Sequence, residues 1–218
     1  MKIAPSILAA DFAHLADHIQ AVGSGADLLH VDAMDGHYVP NISLGSPVVA
    51  SLRAATDLYL DCHLMVSNPG DLLDAFAKAG ADGITVHVEV GDTDRLLGRI
   101  ADLGCKVGLT LEPATAFGAV EPFLDRVDTL LVMSVKTGFG GQPFLPAVLD
   151  KVRAAVAWRD DHGRAFEIEI DGGINIETGA MAAAAGVDIL VAGTAIFAQP
   201  DPHAAALSIR QAALAAQT

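Results

Sequence analysis

Eight short apolar runs alternate along the chain with eight segments whose apolar residues recur at helical spacing, and no linker or composition break interrupts them. Strict strand–helix alternation with near-continuous apolar strands calls for parallel strands covered by helices. Eight such units within 218 residues favour a single closed (β/α)8 TIM barrel over 1–218 rather than an open doubly wound sheet.

The pattern predicts strands over 2–8, from Ala26 through the His30–Asp32 stretch, and over 58–66, 83–88, 106–111, 129–135, 166–170 and 188–192. It predicts helices over 11–22, 47–55, 68–79, 92–103, 115–123, 146–161, 176–185 and 202–216. The first helix would carry Phe12, Leu15, Ile19 and Val22 on one apolar face. Ser46 suits an N-cap with Pro47 at the first helical position, and Gly80, Gly104 and Gly186 suit helix ends.

The core must be built from Ala, Val, Leu and Ile, since 52% of residues are hydrophobic but only 5% are aromatic. No uninterrupted apolar run reaches the roughly 20 residues of a membrane span, Asp188 breaking the most apolar region. Met1-Lys2-Ile3-Ala4-Pro5 enters a strand without a signal-peptide apolar segment, and Cys62 and Cys105 form neither a disulfide framework nor a metal spacing. A cytoplasmic location is therefore expected. The net charge of −14 argues against nucleic acid and membrane surfaces as partners. Small anions remain open, because backbone amides hold them without Lys or Arg.

Chemistry in such a barrel gathers at the C-terminal ends of the strands. Residues 29–36 read Leu-His-Val-Asp-Ala-Met-Asp-Gly. Side chains alternate along a strand, so His30 and Asp32 share one face and Leu29, Val31 and Ala33 the other. An imidazole and a carboxylate on a core face are costly unless partnered. They can satisfy each other, or they can ligate a divalent metal. Ser6 ends strand one, His63 falls late in strand three, His87 and Glu89 end strand four, Ser134 ends strand six and Asp171 ends strand seven. His87 and Glu89 read equally well as a self-satisfied core pair. His30, Asp32, His63 and Asp171 together make a site suited to Zn²⁺, Fe²⁺ or Mn²⁺.

Two glycine turns, Asp171-Gly172-Gly173-Ile174 and Ala192-Gly193-Thr194, follow strands seven and eight, where this barrel holds phosphate. No Lys or Arg occurs between Arg164 and Arg210, so a phosphate there would rest on backbone dipoles. Thr137-Gly138-Phe139-Gly140-Gly141-Gln142-Pro143 after strand six suits a mobile lid.

These motifs resemble the ribulose-phosphate 3-epimerase family over nearly the whole chain. The resemblance lies in Ile3 to Leu8 with Ala10-Asp11-Phe12, in His30 to Asn41, in Asp61 to Val66, in Gly138 to Gln142, in Asp171 to Gly173 and in Gly193-Thr194. It implies an epimerase of the pentose phosphate pathway or Calvin cycle that interconverts D-ribulose 5-phosphate and D-xylulose 5-phosphate through an enediolate. By resemblance, His30, Asp32, His63 and Asp171 hold one divalent ion (Zn²⁺, Fe²⁺, Mn²⁺ or Co²⁺), and Asp32 and Asp171 form the acid–base pair. Ser6, His63, Gly138, Phe139, Gly140, Gly141, Asp171, Gly172, Gly173, Gly193 and Thr194 would contact substrate, with Met34, Met65 and Met133 lining the site. The implied partner is a small phosphorylated ketose, and a homo-oligomer is expected.

Lys136-Thr137 departs from the family, which more often has an acidic or amide residue followed by Pro, and Thr137 is expected to loosen the lid entrance. Three other readings compete. A phosphate-dependent barrel decarboxylase would place a lysine beside its acids, but Val31 stands between His30 and Asp32. A non-catalytic phosphosugar-binding barrel need not keep both acids. A sibling epimerase would act on allulose 6-phosphate instead.

Overall fold

A computed structural model describes residues 1–217; Thr218, the last residue of the expected domain, lies outside them. The strands are β1 (Lys2–Pro5), β2 (Leu28–Met34), β3 (Tyr59–Met65), β4 (Gly83–His87), β5 (Lys106–Leu111), β6 (Thr129–Met133), β7 (Glu167–Asp171) and β8 (Ile189–Ala192). They form one parallel sheet in the order β1-β8-β7-β6-β5-β4-β3-β2. The sheet curls round until Ser6 bridges His30 in parallel register, bringing β1 against β2. Beside this seam the amide of Asp27 donates to the Ile3 carbonyl at 2.9 Å. The result is a nearly closed TIM barrel.

Between the strands lie α1 (Leu15–Val22), α2 (Ser46–Ala55), α3 (Leu73–Ala79), α4 (Thr93–Asp102), α5 (Leu149–Asp161), α6 (Ile176–Ala185), α7 (Thr194–Phe197) and, last, α8 (Pro202–Ala216). Outward residues of the strands, such as Leu29, Val31, Leu60, Ile84 and Leu109, form the main apolar core with the helices. Among the described residues no helix is long and apolar enough to cross a membrane.

Inward residues stack in levels from alternate strands, because barrel strands tilt. The register puts Ala4, Asp61, Gly108 and Glu169 at one level and His30, Thr85, Leu131 and Val191 at the next. Above them come Ser6, His63, Thr110 and Asp171, and then Asp32, His87, Met133 and Gly193 at the mouth. Gly108 is small because a Cβ there would collide with the Thr85 side chain. Polar residues thus run through all four levels and dominate the upper two.

The lower rim is held by a fourfold device. Asp27, Asp82, Asp128 and Asp188 each stand immediately before an even strand. Each accepts the backbone N–H of Ile3, Leu60, Val107 or Ile168 on the preceding odd strand, at 2.7–2.8 Å. Arg210, Arg53, Lys106 and Arg159 pair with the same four carboxylates. A carboxylate that accepts a backbone N–H and a cation fixes strand register at the end of the barrel that serves stability.

Several boundaries differ from the sequence expectations. β1 stops at Pro5 and continues as a 3-10 turn over Ile7–Ala9. The first helix is split: Asp11 caps a 3-10 turn over Phe12–His14, and α1 begins only at Leu15. The non-helical backbone of His14 (φ −135°, ψ 36°) turns Phe12 off the apolar face, leaving it 47% exposed. Gly45, not Ser46, takes the N-cap position of α2, and Ser46 and Pro47 fill its first turn. Residues 69–71 form a 3-10 turn before α3, and the segment expected to be helical over 115–123 is two 3-10 turns. Gly118 and Pro122 explain the latter, one by its backbone entropy and the other by its missing N–H. α7, four residues long, has no counterpart among the expected elements.

Candidate active site and metal centre

β2 and β3 lie side by side with Asp32 opposite His63 and His30 opposite Asp61, so two short sequence motifs become one polar cluster. His30 and His63 are fully buried, and Asp32 is nearly so. His30 Nε2, His63 Nδ1 and Asp32 Oδ1 form a triangle whose three edges are each 3.4 Å. Asp171 enters from β7 across the barrel, and donor atoms from all four residues lie within 4.8 Å of one another. A tetrahedron around an ion with bonds of about 2.1 Å has edges of about 3.4 Å. The donor set, two imidazoles and two carboxylates, and its spacing therefore fit a divalent cation.

The supports of these side chains are visible. Ser6 Oγ donates to Asp32 Oδ2 at 2.6 Å, leaving Oδ1 toward the histidines. His30 Nδ1 lies 2.7 Å from Asp61 Oδ2 and 3.5 Å from Glu169 Oε1. Asp61 and Glu169 sit below the cluster and were not among the expected site residues. The signal was available in the strand alternation, since Asp61 shares a face with His63 and Glu169 with Asp171.

The two carboxyl groups at the mouth are driven in opposite directions. Burial would raise the Asp32 carboxyl, but the charge and hydrogen bond of His30 outweigh it and hold Asp32 well below the usual carboxylate range. Burial and then the neighbouring Asp32 charge push Asp171 up to about 7. Burial lowers His63 to about 4. His30 is raised despite its burial, because Asp32, Asp61 and Glu169 surround it with acceptors. Below about pH 7 one ionised and one neutral acid therefore face the same space.

That space is a cavity of about 230 Å³. Ser6, Asp32, Met34, Met65, Met133 and Asp171 form its floor and walls, and His30 and His63 lie beneath without lining it. Gly138, Phe139, Gly140 and Gly141 line it from the loop after β6, Gly172 and Gly173 from the loop after β7, and Gly193 and Thr194 from the end of β8. Leu8, Val135 and Ala195 join them without having been expected. No Lys or Arg side chain is among the lining residues.

Asn175 caps α6 by accepting the amides of Glu177 and Thr178, which occupies that helix start. At α7 Gly193 offers no side-chain cap, and the amides of Thr194 and Ala195 have no acceptor within the helix. Gly172 (φ +120°) and Gly173 (φ +65°) take backbone conformations that side chains disfavour, and a Cβ at Gly173 would come within 2.6 Å of Phe144 N. Ser134 does not face the cavity. Its hydroxyl donates to the carbonyls of Asp171 and Gly172 at 2.8 and 2.7 Å, fixing the start of this turn.

Thr137 does not leave the lid entrance loose. It is buried, and both its hydroxyl and its N–H donate to the Glu112 carboxylate at the end of β5. Within the lid, Gln142 Nε2 donates to the carbonyls of Lys136 and Phe139, and Asn41 Nδ2 donates to the carbonyl of Gly138 at 3.1 Å.

The family model described as the ribulose-phosphate 3 epimerase family matches residues 2–197. The chain belongs to the ribulose-phosphate 3-epimerase family. Ribulose-phosphate 3-epimerase of Mycobacterium tuberculosis is 52% identical over 220 residues, covering 98% of this chain and 93% of the relative. The Bacillus subtilis enzyme of the same name is 44% identical, covering 96% and 98%. This chain is thus an enzyme of the epimerase family. Among solved structures, KGPDC from Streptococcus mutans in complex with D-R5P superposes with a TM-score of 0.76 at 16% identity, covering 100% and 99% of the two chains. Salmonella typhimurium 3-hexulose-6-phosphate synthase gives 0.72 at 19% identity, covering 99% and 100%. At such identities these two support the barrel fold alone.

Proposed function

We propose that the protein interconverts D-ribulose 5-phosphate and D-xylulose 5-phosphate by proton transfer at C3, with Asp32 and Asp171 as the two acid–base groups. The observation that carries this reading is their placement on opposite walls of one cavity with opposite protonation tendencies. Inverting a carbon next to a ketone requires a proton taken from one face and another given to the opposite face. Asp32, ionised and steadied by Ser6, removes the proton, leaving an enediolate. Asp171, neutral, delivers its own proton to the other face of that carbon. The protein then holds the complementary pair, Asp32 protonated and Asp171 ionised, which is the state needed for the reverse reaction.

His30, Asp32, His63 and Asp171 would hold one divalent cation, with Zn²⁺, Fe²⁺, Mn²⁺ and Co²⁺ as candidates. When bound, such an ion supplies Lewis-acid stabilisation of the negative charge that develops on the ketose oxygens, worth several kcal/mol. Met34, Met65 and Met133 surround the reacting carbons with a polarizable wall that cannot exchange protons. The phosphate rests on the Gly172-Gly173 turn and the first amides of α7, and the loop from Gly138 to Gln142 closes over the sugar. Work in the cytoplasm fits the two buried free thiols, Cys62 and Cys105.

Assay of the purified protein with D-ribulose 5-phosphate and with allulose 6-phosphate, before and after chelation, tests this reading. It predicts epimerisation of the five-carbon ketose in preference to the six-carbon one, lost on chelation and restored by a divalent ion. Preference for allulose 6-phosphate would reassign the substrate, and full activity in the stripped protein would remove the metal from the account.

A further inference from the structure

Behind His63, on the side away from the cavity, runs a second chain of polar groups. His63 Nε2 lies 2.8 Å from His87 Nε2, and His87 Nδ1 lies 3.3 Å from Glu89 Oε2. The two rings are stacked with centroids 5.0 Å apart, and both are essentially inaccessible to solvent. Glu89 Oε1 accepts the backbone N–H of Glu112 at 2.7 Å, which anchors the carboxylate at the junction of β4 and β5. Thus His87 and Glu89 do not merely satisfy each other, because the far side of His87 reaches the cluster.

We infer that His87 and Glu89 are positioning residues that fix the ring proton of His63 on Nε2 and so turn its Nδ1 lone pair toward the ion position it shares with Asp32 and His30. The inference rests on the metal centre proposed above.

The polarity of the chain follows from its carboxylate end. A neutral imidazole has one N–H and one lone pair. An ionised carboxylate only accepts, and the bonds from His87 and Glu112 hold Glu89 ionised against the upward push of burial, at about 2. An imidazole with a single N–H at His87 then donates from Nδ1, which leaves a lone pair on Nε2. Across the 2.8 Å contact, His63 must donate its Nε2–H. Its remaining lone pair is on Nδ1, the atom 3.4 Å from Asp32 Oδ1 and from His30 Nε2. The opposite arrangement would set a lone pair of His87 against the carboxylate. Groups that orient a ligating histidine in this way typically change metal affinity 10- to 100-fold when removed.

The test combines two readouts on the full-length protein. Nitrogen-15 spectra of the chelated wild type should show His63 protonated at Nε2 and bare at Nδ1. His87→Phe should retain the fold, give His63 mixed protonation, and bind Zn²⁺ about 10- to 100-fold more weakly in a chelator competition. Glu89→Leu, nearer the rim and milder for folding, should change both readouts in the same direction. Glu89→Gln, whose one amide oxygen can accept from His87 only by setting its NH2 against the Glu112 N–H, should fall between wild type and Glu89→Leu in both readouts. A His63 proton on Nδ1 in the wild type would overturn the inference. So would unchanged His63 spectra and Zn²⁺ affinity in both His87→Phe and Glu89→Leu. Failure of the wild type to bind Zn²⁺, with His63 still protonated at Nε2, would instead reject the metal centre and leave the ring assignment standing.

Discussion

Ser6 Oγ donates to Asp32 Oδ2 at 2.6 Å, and the same serine makes the backbone bridge to His30 that joins β1 to β2. The residue that closes the barrel therefore also steadies the carboxylate of the proposed base. A hydrogen bond to the charged form lowers an acid's pKa, so its loss raises it. Ser6→Ala should lower kcat/KM at neutral pH by about tenfold or more, since a hydrogen bond to a charged group is worth about 1.5–3 kcal/mol and tenfold in rate about 1.4. A kcat/KM equal to wild type would show that this bond does not support Asp32.

The raised Asp171 gives metal loading a pH dependence. Its carboxyl is pushed up to about 7 in the ion-free cluster, and its ionised form ligates more strongly than its neutral one. Below that pH a bound proton competes with the ion, and above it the competition ends. Zn²⁺ affinity of the stripped protein should rise as pH increases from 5 to 7 and flatten beyond, as read by competition with a chelator of known pH dependence. In Asp171→Asn this part of the slope should disappear.

Much of the site was legible because strand alternation and barrel topology act on short, unambiguous stretches. His30 and Asp32, spaced by one residue on an apolar strand, must share a face, and β2–β3 pairing carries them to His63. Depth within the barrel was not legible. The alternation that turns Asp171 inward also turns Glu169 inward, but only the register shows that Glu169 lies beneath His30. His87 and Glu89 were visible as a pair, whereas the contact from His87 to His63 depends on the stacking of two neighbouring strands. Local errors have local causes. Gly45 and Ser46 both suit an N-cap, and α7 is too short to show a helical period.

The phosphate cradle can be tested one amide at a time. Ala195→Pro removes a single N–H in the first turn of α7, where proline is tolerated. If that amide holds the phosphate, KM for the phosphosugar should rise about tenfold, the value of one lost bond of about 1.4 kcal/mol to a charged group, with a smaller change in kcat. An unchanged KM would place the anion elsewhere.

The close approach of two loops at Gly173 predicts a different phenotype. In Gly173→Ala a Cβ would meet Phe144 N at 2.6 Å and Gln142 O at 2.8 Å, and the backbone would be strained at φ +65°. Because these neighbours are backbone atoms at the base of the lid, the substitution should cost about 1–3 kcal/mol in stability and depress kcat/KM. Chemical denaturation and steady-state kinetics would measure both, and a variant equal to wild type in each would contradict the packing described.

Asp188 offers the contrasting case at the lower rim, where it accepts from Ile168 N–H and pairs with Arg159. Asp188→Ala should lower unfolding free energy by about 1–3 kcal/mol while leaving kcat and KM within twofold. A selective loss of activity without loss of stability would deny the separation of the two barrel ends.

The central claim is that two acids serve opposite faces of one carbon. Its most direct measurement is hydrogen exchange at C3 in heavy water by Asp171→Asn, with D-ribulose 5-phosphate and D-xylulose 5-phosphate supplied separately to protein whose metal content equals that of the wild type. With Asp32 alone able to move a proton, deuterium should enter C3 of one of the two sugars, with no epimer formed from either. Epimer formation at the wild-type rate in that variant would contradict the two-acid account.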